Sequence, residues 1–368
     1  MARYSFKLCK ASGEPLGDID SAVARALDFQ LSSPAKADVT MMLDQDLTGL
    51  LVPGFSRLKV FRERSAAEIA TGLTTSPLVF YGHLPVQNVD VDPAQNQVTA
   101  SFLDPRWVLT RRYSLGTETF AATDQGAIAW GMVNAQNGRS GGDTWIRQGG
   151  TTTSILRDRT YDRQLVSQLL DDLTQLIDGC DLDCDPVDGY ATGLGRVMGN
   201  LRAYAKQGSD RPNVHFQYGP DLATNTGNIR LTYAELPTVA TVVGQPDPAT
   251  GSATALSSTY GSPTTDGFGI LEAYSSDPDV SVQATLDAKA RGVVLAAQGI
   301  RPILTIDAPS SEAPRALEDY QLGDTIRASL SKGAFRVVQK TVRVHGINIK
   351  LSAEGDEDVT LTTVAENG

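Results

Sequence analysis

The last sixty or so residues form a run of short alternating strands, and this stretch constrains the fold more than any other. Ile326, Ala328 and Leu330 alternate with polar residues, and Lys332-Gly333 supplies a turn. Phe335 and Val337, then Val342 and Val344, then Ile347, Ile349 and Leu351 continue the pattern. Glu354-Gly355 makes a second turn, and Val359 and Leu361 close the series. Apolar residues at every second position put one face of each strand into a core. Gly-containing turns between such strands specify an antiparallel meander. The phase slips by one residue at Gly346, where a β-bulge would re-aim the strand. A bulged, coiled meander suits a small barrel or a tube wall and presents no pocket.

The first 115 residues read the same way. Tyr4, Phe6 and Leu8 alternate, as do Leu27, Phe29 and Leu31, then Val39, Met41 and Leu43. Leu58 and Val60 follow the Pro53-Gly54 turn, and Leu78 and Phe80 lead into Gly82. Val89 and Val91 pair with Val98, Ala100 and Phe102 across the Pro93–Asn96 turn. These strands suffice for one barrel or sandwich.

Between the two β blocks the pattern changes. Residues 113–157 are rich in Gly, Thr and Asn, with the loop Asn137-Gly138-Arg139-Ser140-Gly141-Gly142. Tyr161, Leu165, Val166, Leu169, Leu170, Leu173, Leu176 and Ile177 then recur with helical spacing, which predicts a helix over about 161–178 with Gly179 as a left-handed cap. Phe216 to Val243 returns to strand. The Pro-, Ser-, Thr- and Gly-rich segment 245–266 reads as a mobile loop. A second helix is expected over about 282–298, with Leu286, Ala290, Val293, Val294 and Ala297 inward and Gly299 as its cap. Too few strands lie in 206–245 to close a sheet alone, so the final meander is their natural partner. The expected organisation is a β-domain over 1–115, an α+β insertion over 116–205, and a second β-domain made of 206–245 and 306–368. An insertion over 246–305 carries the loop and the second helix.

Composition excludes several classes. The chain has 368 residues, 41% hydrophobic and 20% charged, as in an ordinary globular protein of two or three domains. No apolar run is long enough to span a bilayer as a helix. Met1-Ala2-Arg3-Tyr4-Ser5-Phe6 runs straight into a strand without signal-peptide character, so synthesis and assembly in a cytoplasm are expected. The net charge of −11 opposes a nucleic-acid-binding surface. Cys9, Cys180 and Cys184 make no disulfide framework, and His83, His215 and His345 are scattered, so no metal, cofactor or Cys/His nucleophile is expected.

The remaining candidates are weak. Asp181, Asp183 and Asp185 have the first spacings of a calcium loop, but Pro186 stands where the loop needs Gly, and Ala191 and Thr192 stand near its twelfth position. A strand with Cys180, Leu182 and Cys184 inward and the aspartates in water accounts for the run better. Gly267-Phe268-Gly269 and Gly193-Leu194-Gly195 do not extend to G-x-G-x-x-G, because Glu272 and Met198 follow; they read as turns. Asp171-Asp172 could serve glycoside hydrolysis but fall on the solvent side of the helix. Trp107, Trp130 and Trp145 could line a sugar site but suit a core equally well. No catalytic, cofactor-binding or metal residue is assigned.

The layout as a whole resembles that of phage tail hub proteins, also called minor tail or baseplate hub proteins. The resemblance is carried by Tyr161-Asp162-Arg163-Gln164-Leu165-Val166 through Leu170, then Ile177 to Pro186. His215-Phe216-Gln217-Tyr218-Gly219 and Val239 to Gly244 follow, then Pro302 and Asp319-Tyr320-Gln321-Leu322-Gly323-Asp324. It implies a mainly β chain with α+β insertions and two tail-tube-like antiparallel β-barrels. It also implies a homotrimeric ring at the virion tail tip, adapting a six-fold tube to a three-fold tip around a channel for DNA. The implied partners are other copies of the chain, a distal tail protein or tail tube above, and tip or receptor-binding proteins below. DNA would pass without specific binding, and the chain would not insert into a membrane. The readings from other classes are a tail-associated cell-wall hydrolase and a receptor- or glycan-binding tip module.

Overall fold

The computed structural model describes residues 4–365 apart from 20–21, 45, 74, 151, 177, 220–224, 234–236, 247–254, 262–269, 277–282, 298–301, 309–313, 333–334 and 353–356. A first lobe contains β1 (Tyr4–Cys9), β2 (Pro15–Asp18), β3 (Ala24–Gln30), β4 (Lys36–Met42), β5 (Arg57–Arg62), α1 (Ala66–Ala70), β6 (Leu78–His83), β7 (Val89–Asp92) and β8 (Gln97–Leu103). A three-ten helix, Pro105–Arg111, leads into an insertion. It comprises β9 (Thr117–Asp124), α2 (Gln125–Asn137), β10 (Ile146–Gln148), β11 (Leu156–Asp162), α3 (Val166–Thr174), β12 (Asp181–Pro186) and β13 (Gly199–Tyr204). A second lobe opens with β14 (Asp210–Tyr218) and β15 (Asn228–Tyr233). A satellite unit follows, of β16 (Val239–Pro246), β17 (Ala255–Gly261), β18 (Glu272–Ser276) and α4 (Gln283–Ala297). The second lobe then resumes with β19 (Pro302–Ala308), β20 (Thr325–Lys332), β21 (Phe335–Leu351) and β22 (Glu357–Ala365).

Both lobes belong to one 14-stranded sheet. Its main path runs β15-β19-β22-β21-β3-β4-β8-β6-β5-β1-β2, and among the described residues it does not return on itself. The joint is β21. Its first half pairs antiparallel with β20, and Gly346 to Leu351 pair with β22 on one side and β3 on the other. The register slips between Val344 and Gly346, at the bulge position marked by the sequence. A Cβ on Gly346 would meet Thr362 Cβ at 3.3 Å and the Phe29 carbonyl oxygen at 3.7 Å, so the strands on both sides press on this residue.

The second lobe repeats the first. The pairing order β1-β5-β6-β8-β4-β3 matches β14-β20-β21-β22-β19-β15, and the matched strands occur in the same chain order. Strands β6 and β7 together stand for the two halves of β21. Strand β6 lies on β5, and β7 lies on β8, just as the halves of β21 lie on β20 and β22. Matched neighbours are antiparallel except at one end, where β14 runs parallel to β20 while β1 runs antiparallel to β5. A single apolar core runs through both lobes, from Phe6, Phe80 and Phe102 to Phe216, Tyr320 and Ile347. The insertion has its own core of Ile128, Met132, Val133, Leu169, Leu173, Leu182 and Leu201. The satellite unit has a third, Val242, Leu286 and Ala290.

The insertion departs from the sequence reading in several places. The stretch 113–157, in which the sequence marked only the loop 137–142, holds β9 and α2, the latter capped by the Asp124 carboxylate on the Gly126 and Ala127 amides. Its small residues hide the helical period. The helix expected over 161–178 is confined to Val166–Thr174. Tyr161 lies in β11 because Leu156–Asp162 pairs with β9, and Arg163, at φ 50°, breaks the chain before the helix. The left-handed residue after α3 is Asp178, at φ 56°, rather than Gly179. Within 245–266, Ala255–Gly261 is strand, paired to β16. Strand β16, read from sequence with the second lobe, pairs only within the satellite sheet. Gly299, Gly333, Glu354-Gly355 and Gly267-Phe268-Gly269 lie outside the described residues.

Candidate functional site

The acidic run forms β12, paired with β13, with Cys180, Leu182 and Cys184 buried. The aspartates are not simply in water, however. Asp181 pairs with Arg343 of β21 and accepts from the Gln207 amide at 2.6 Å. Asp183 accepts from Gln207 Nε2 at 3.0 Å and lies 3.9 Å from Arg106 Nη2. Asp185 pairs with Arg202. Asp181 and Asp183 thus serve as seam residues where β12 of the insertion faces the lobes, whereas the Asp185 pair stays within the β12–β13 sheet. The buried Arg106 completes this seam, holding Asp104 at 2.7 Å and donating to the Leu182 carbonyl at 3.1 Å. Asp104 also accepts from the Ala35 amide at 2.7 Å.

The other candidates are likewise drawn into packing. Asp172 pairs with Lys289 of α4 and lies 3.8 Å from Arg159, tying the satellite unit to α3. His215 Nε2 is 2.7 Å from Ser329 Oγ across the β14–β20 pair. Gly193 and Gly195 have φ of 75° and 65°, as turn glycines do. The three cysteines are free and buried; burial pushes the Cys9 thiol to about 11 and the Cys180 thiol to about 12. Among the described residues no three His, Cys, Asp or Glu side chains converge to hold a metal ion. No described helix is long and apolar enough to cross a membrane.

A polar cluster under the 187–196 loop escaped the sequence reading. Arg57 and Lys59 occupy the polar phase of β5, which alternation assigns to solvent, yet both are buried. Lys59 Nζ donates to Gly13 O at 2.8 Å and to Asp188 Oδ1 at 2.7 Å. Arg57 donates to Arg196 O at 3.1 Å and lies over the Trp145 ring at 5.1 Å. His83 sits between Trp107 and Trp145, with ring centroids at 5.8 and 5.1 Å. Two of the three tryptophans thus fasten the insertion to the first lobe. Local sequence carries no signal for this, because Asp188 and the Arg196 carbonyl come from more than a hundred positions away.

Burial and the nearby Arg57 lower the His83 pKa from 6.5 to about 4. Above pH 6.5 the imidazole is neutral whether folded or unfolded, and the full stability is present. As pH falls from 6.5 to about 4, only the unfolded chain takes the proton, so stability is lost. The loss is about 3 kcal/mol. Glu357 runs the other way. Desolvation raises it to about 7, so it destabilises the fold as pH rises from 4.5 through 7. Urea titrations of the wild-type chain and of His83→Phe, between pH 7 and pH 4, should therefore differ by the His83 contribution alone. The variant should lose about 3 kcal/mol less on acidification; equal losses would rule out a neutral buried His83.

A third seam joins the lobes directly. Arg62 of β5 pairs with Glu68 at 2.7 Å and with Glu318 at 3.4 Å, and Ser65 Oγ donates to Glu318 Oε1 at 2.6 Å. The hydrogen bond from Arg62 is the chief cause that lowers the Glu68 pKa to about 2. Beside this seam a cleft of about 460 Å³ is lined by Arg62, Glu68, Arg106, Asp183, Gln207 and Glu318. Its charges are paired with one another, Arg62 with Glu68 and Glu318, and Arg106 with Asp104 and, at 3.9 Å, with Asp183.

What the surface does present is unpaired strand and apolar side chains. Among the described residues, the outer edges of β7 and β15 pair with nothing. Phe55 and Val86 are 63% and 72% exposed, beside the exposed Leu50 and Val52. A free edge can pair with a strand of another chain, and exposed apolar side chains that lie together can mark a contact surface.

No protein-family model matches the sequence, and no curated protein matches it. Solved structures do match the fold. A tail protein from Neisseria meningitidis MC58 aligns over 99% of this chain and 97% of its own, with a TM-score of 0.59 at 12% identity. The 43 kDa tail protein of prophage MuSo2 from Shewanella oneidensis aligns over 98% of both chains, with a TM-score of 0.61 at 10% identity. A chain of the Francisella PdpA–VgrG complex aligns over 99% of this chain and 53% of its own, with a TM-score of 0.52 at 10% identity. The fold matches that of these tail proteins over nearly the whole chain: mainly β, with two lobes and α+β insertions.

Proposed function

We propose that this chain is a structural ring component of a phage tail, a hub at the tail tip. The observation that carries the reading is the match of the whole chain, lobes and insertions together, to two tail proteins. The repeated lobe supports it. Three copies of a two-lobed chain offer six similar units to a six-fold tube while keeping three-fold symmetry toward the tip. A channel inside the ring passes DNA, and the net charge of −11 keeps the wall from holding it. The two insertions meet the neighbouring tail proteins. The work is geometric, and no residue need act on a substrate. The contrary reading, a cell-wall hydrolase, is tested by turbidity of host cell walls. The purified chain should leave walls intact; clearing that a single polar substitution abolishes would overturn the structural role.

A further inference from the structure

The lobe repeat points to how the copies meet. Inside one chain, the lobes are joined where β3 of the first lies antiparallel on the second half of β21. The counterpart of β3 in the second lobe is β15, and the counterpart of that half of β21 in the first lobe is β7. In a single chain this second pair of counterparts cannot meet as the first pair does. Both edges are left open among the described residues, since β15 pairs only with β19 and β7 only with β8. We infer that β15 of one copy adds antiparallel to β7 of the next, repeating between chains the junction that β3 and β21 make within one.

The side chains suit this partner. In the internal junction apolar residues oppose each other on the core side, Leu27 with Ile349 and Phe29 with Ile347. Polar ones oppose on the other side, Asp28 with Asn348. Strand β7 carries Val89 and Val91 on one face and Asp90 and Asp92 on the other. Strand β15 carries Ile229 and Leu231 on one face and Asn228, Arg230 and Thr232 on the other. Val91 is 50% exposed, and Asp90 and Arg230 are exposed on the polar faces. The pairing would cover Val91 and set Arg230 against the β7 carboxylates. The two edges differ, so the contact is head-to-tail. Such contacts close into rings rather than isologous dimers.

This inference rests on the ring reading, and its test separates the two. Asp90→Cys is combined with Arg230→Cys in one chain, and with Thr232→Cys in another, to allow for a register shift of two. All three positions are exposed, and the native cysteines are buried. Mild oxidation should convert either double variant into covalent closed rings, while the single-cysteine variants give none. In parallel, Asp90→Arg should weaken association, and adding Arg230→Asp should restore it. If the wild-type chain is multimeric but neither double variant crosslinks and Asp90→Arg assembles normally, the pairing is wrong and the ring stands. If the wild-type chain stays monomeric at every concentration and nothing crosslinks, the ring reading fails and the pairing with it.

Discussion

Ile347→Asp should unfold both lobes together. Ile347 is fully buried in β21, opposite Leu361 of β22 and Phe29 of β3. It is therefore one of the residues through which the two halves of the shared core touch. Losing a buried Ile side chain costs about 2–5 kcal/mol. A carboxylate left there without a partner adds a charge-burial penalty on the order of 3–5 kcal/mol, unless it protonates. The combined cost matches the roughly 5–15 kcal/mol that a domain has in total. Circular dichroism should show the strand signal of the whole chain lost in one step. Lys350→Asp, three residues on and exposed, should fold normally. A first lobe that stays folded in Ile347→Asp would mean that the lobes are independent.

Arg106→Ala should be nearly as damaging, by about 3–5 kcal/mol. The guanidinium is the counter-charge of the buried Asp104 carboxylate and links it to the Leu182 carbonyl in the insertion. Removing it leaves Asp104 buried and charged, although still bonded to the Ala35 amide. The double variant Asp104→Asn with Arg106→Met should recover much of the loss, because burying a pair gains little over an apolar replacement. Denaturant melts of the two variants decide the matter. A single Ala variant within about 0.5 kcal/mol of wild type would show that the insertion docks without this pair.

Alternation revealed most strands of both lobes, since every second side chain faces the common core. The phase slip at Gly346 marked the bulge because a one-residue shift moves the entire apolar set to the other face. The Val91–Val98 hairpin was visible because its turn is local. Three features were hidden for physical reasons. Helix α2 carries Gly126, Ala127, Ala129 and Gly131, which blur the apolar stripe. Arg57 and Lys59 keep the polar phase of β5 and look solvated, and Arg62 looks like a solvated strand end; loops distant in sequence bury them, and only the fold supplies Asp188, Arg196 O and Glu318. Asp181, Asp183 and Asp185 alternate as a solvated strand face would. Their partners Arg343, Arg106 and Arg202 are set by tertiary packing and not by spacing.

The proposed role requires that copies of this two-lobed chain close into a three-membered ring. Light scattering on the purified chain, across a wide concentration range and at low and moderate salt, tests it most directly. A three-membered ring gives a species of three times the 39.2 kDa chain mass, growing at the expense of monomer as concentration rises. A monomer that persists at every concentration, or a stable hexamer of whole chains, would contradict it.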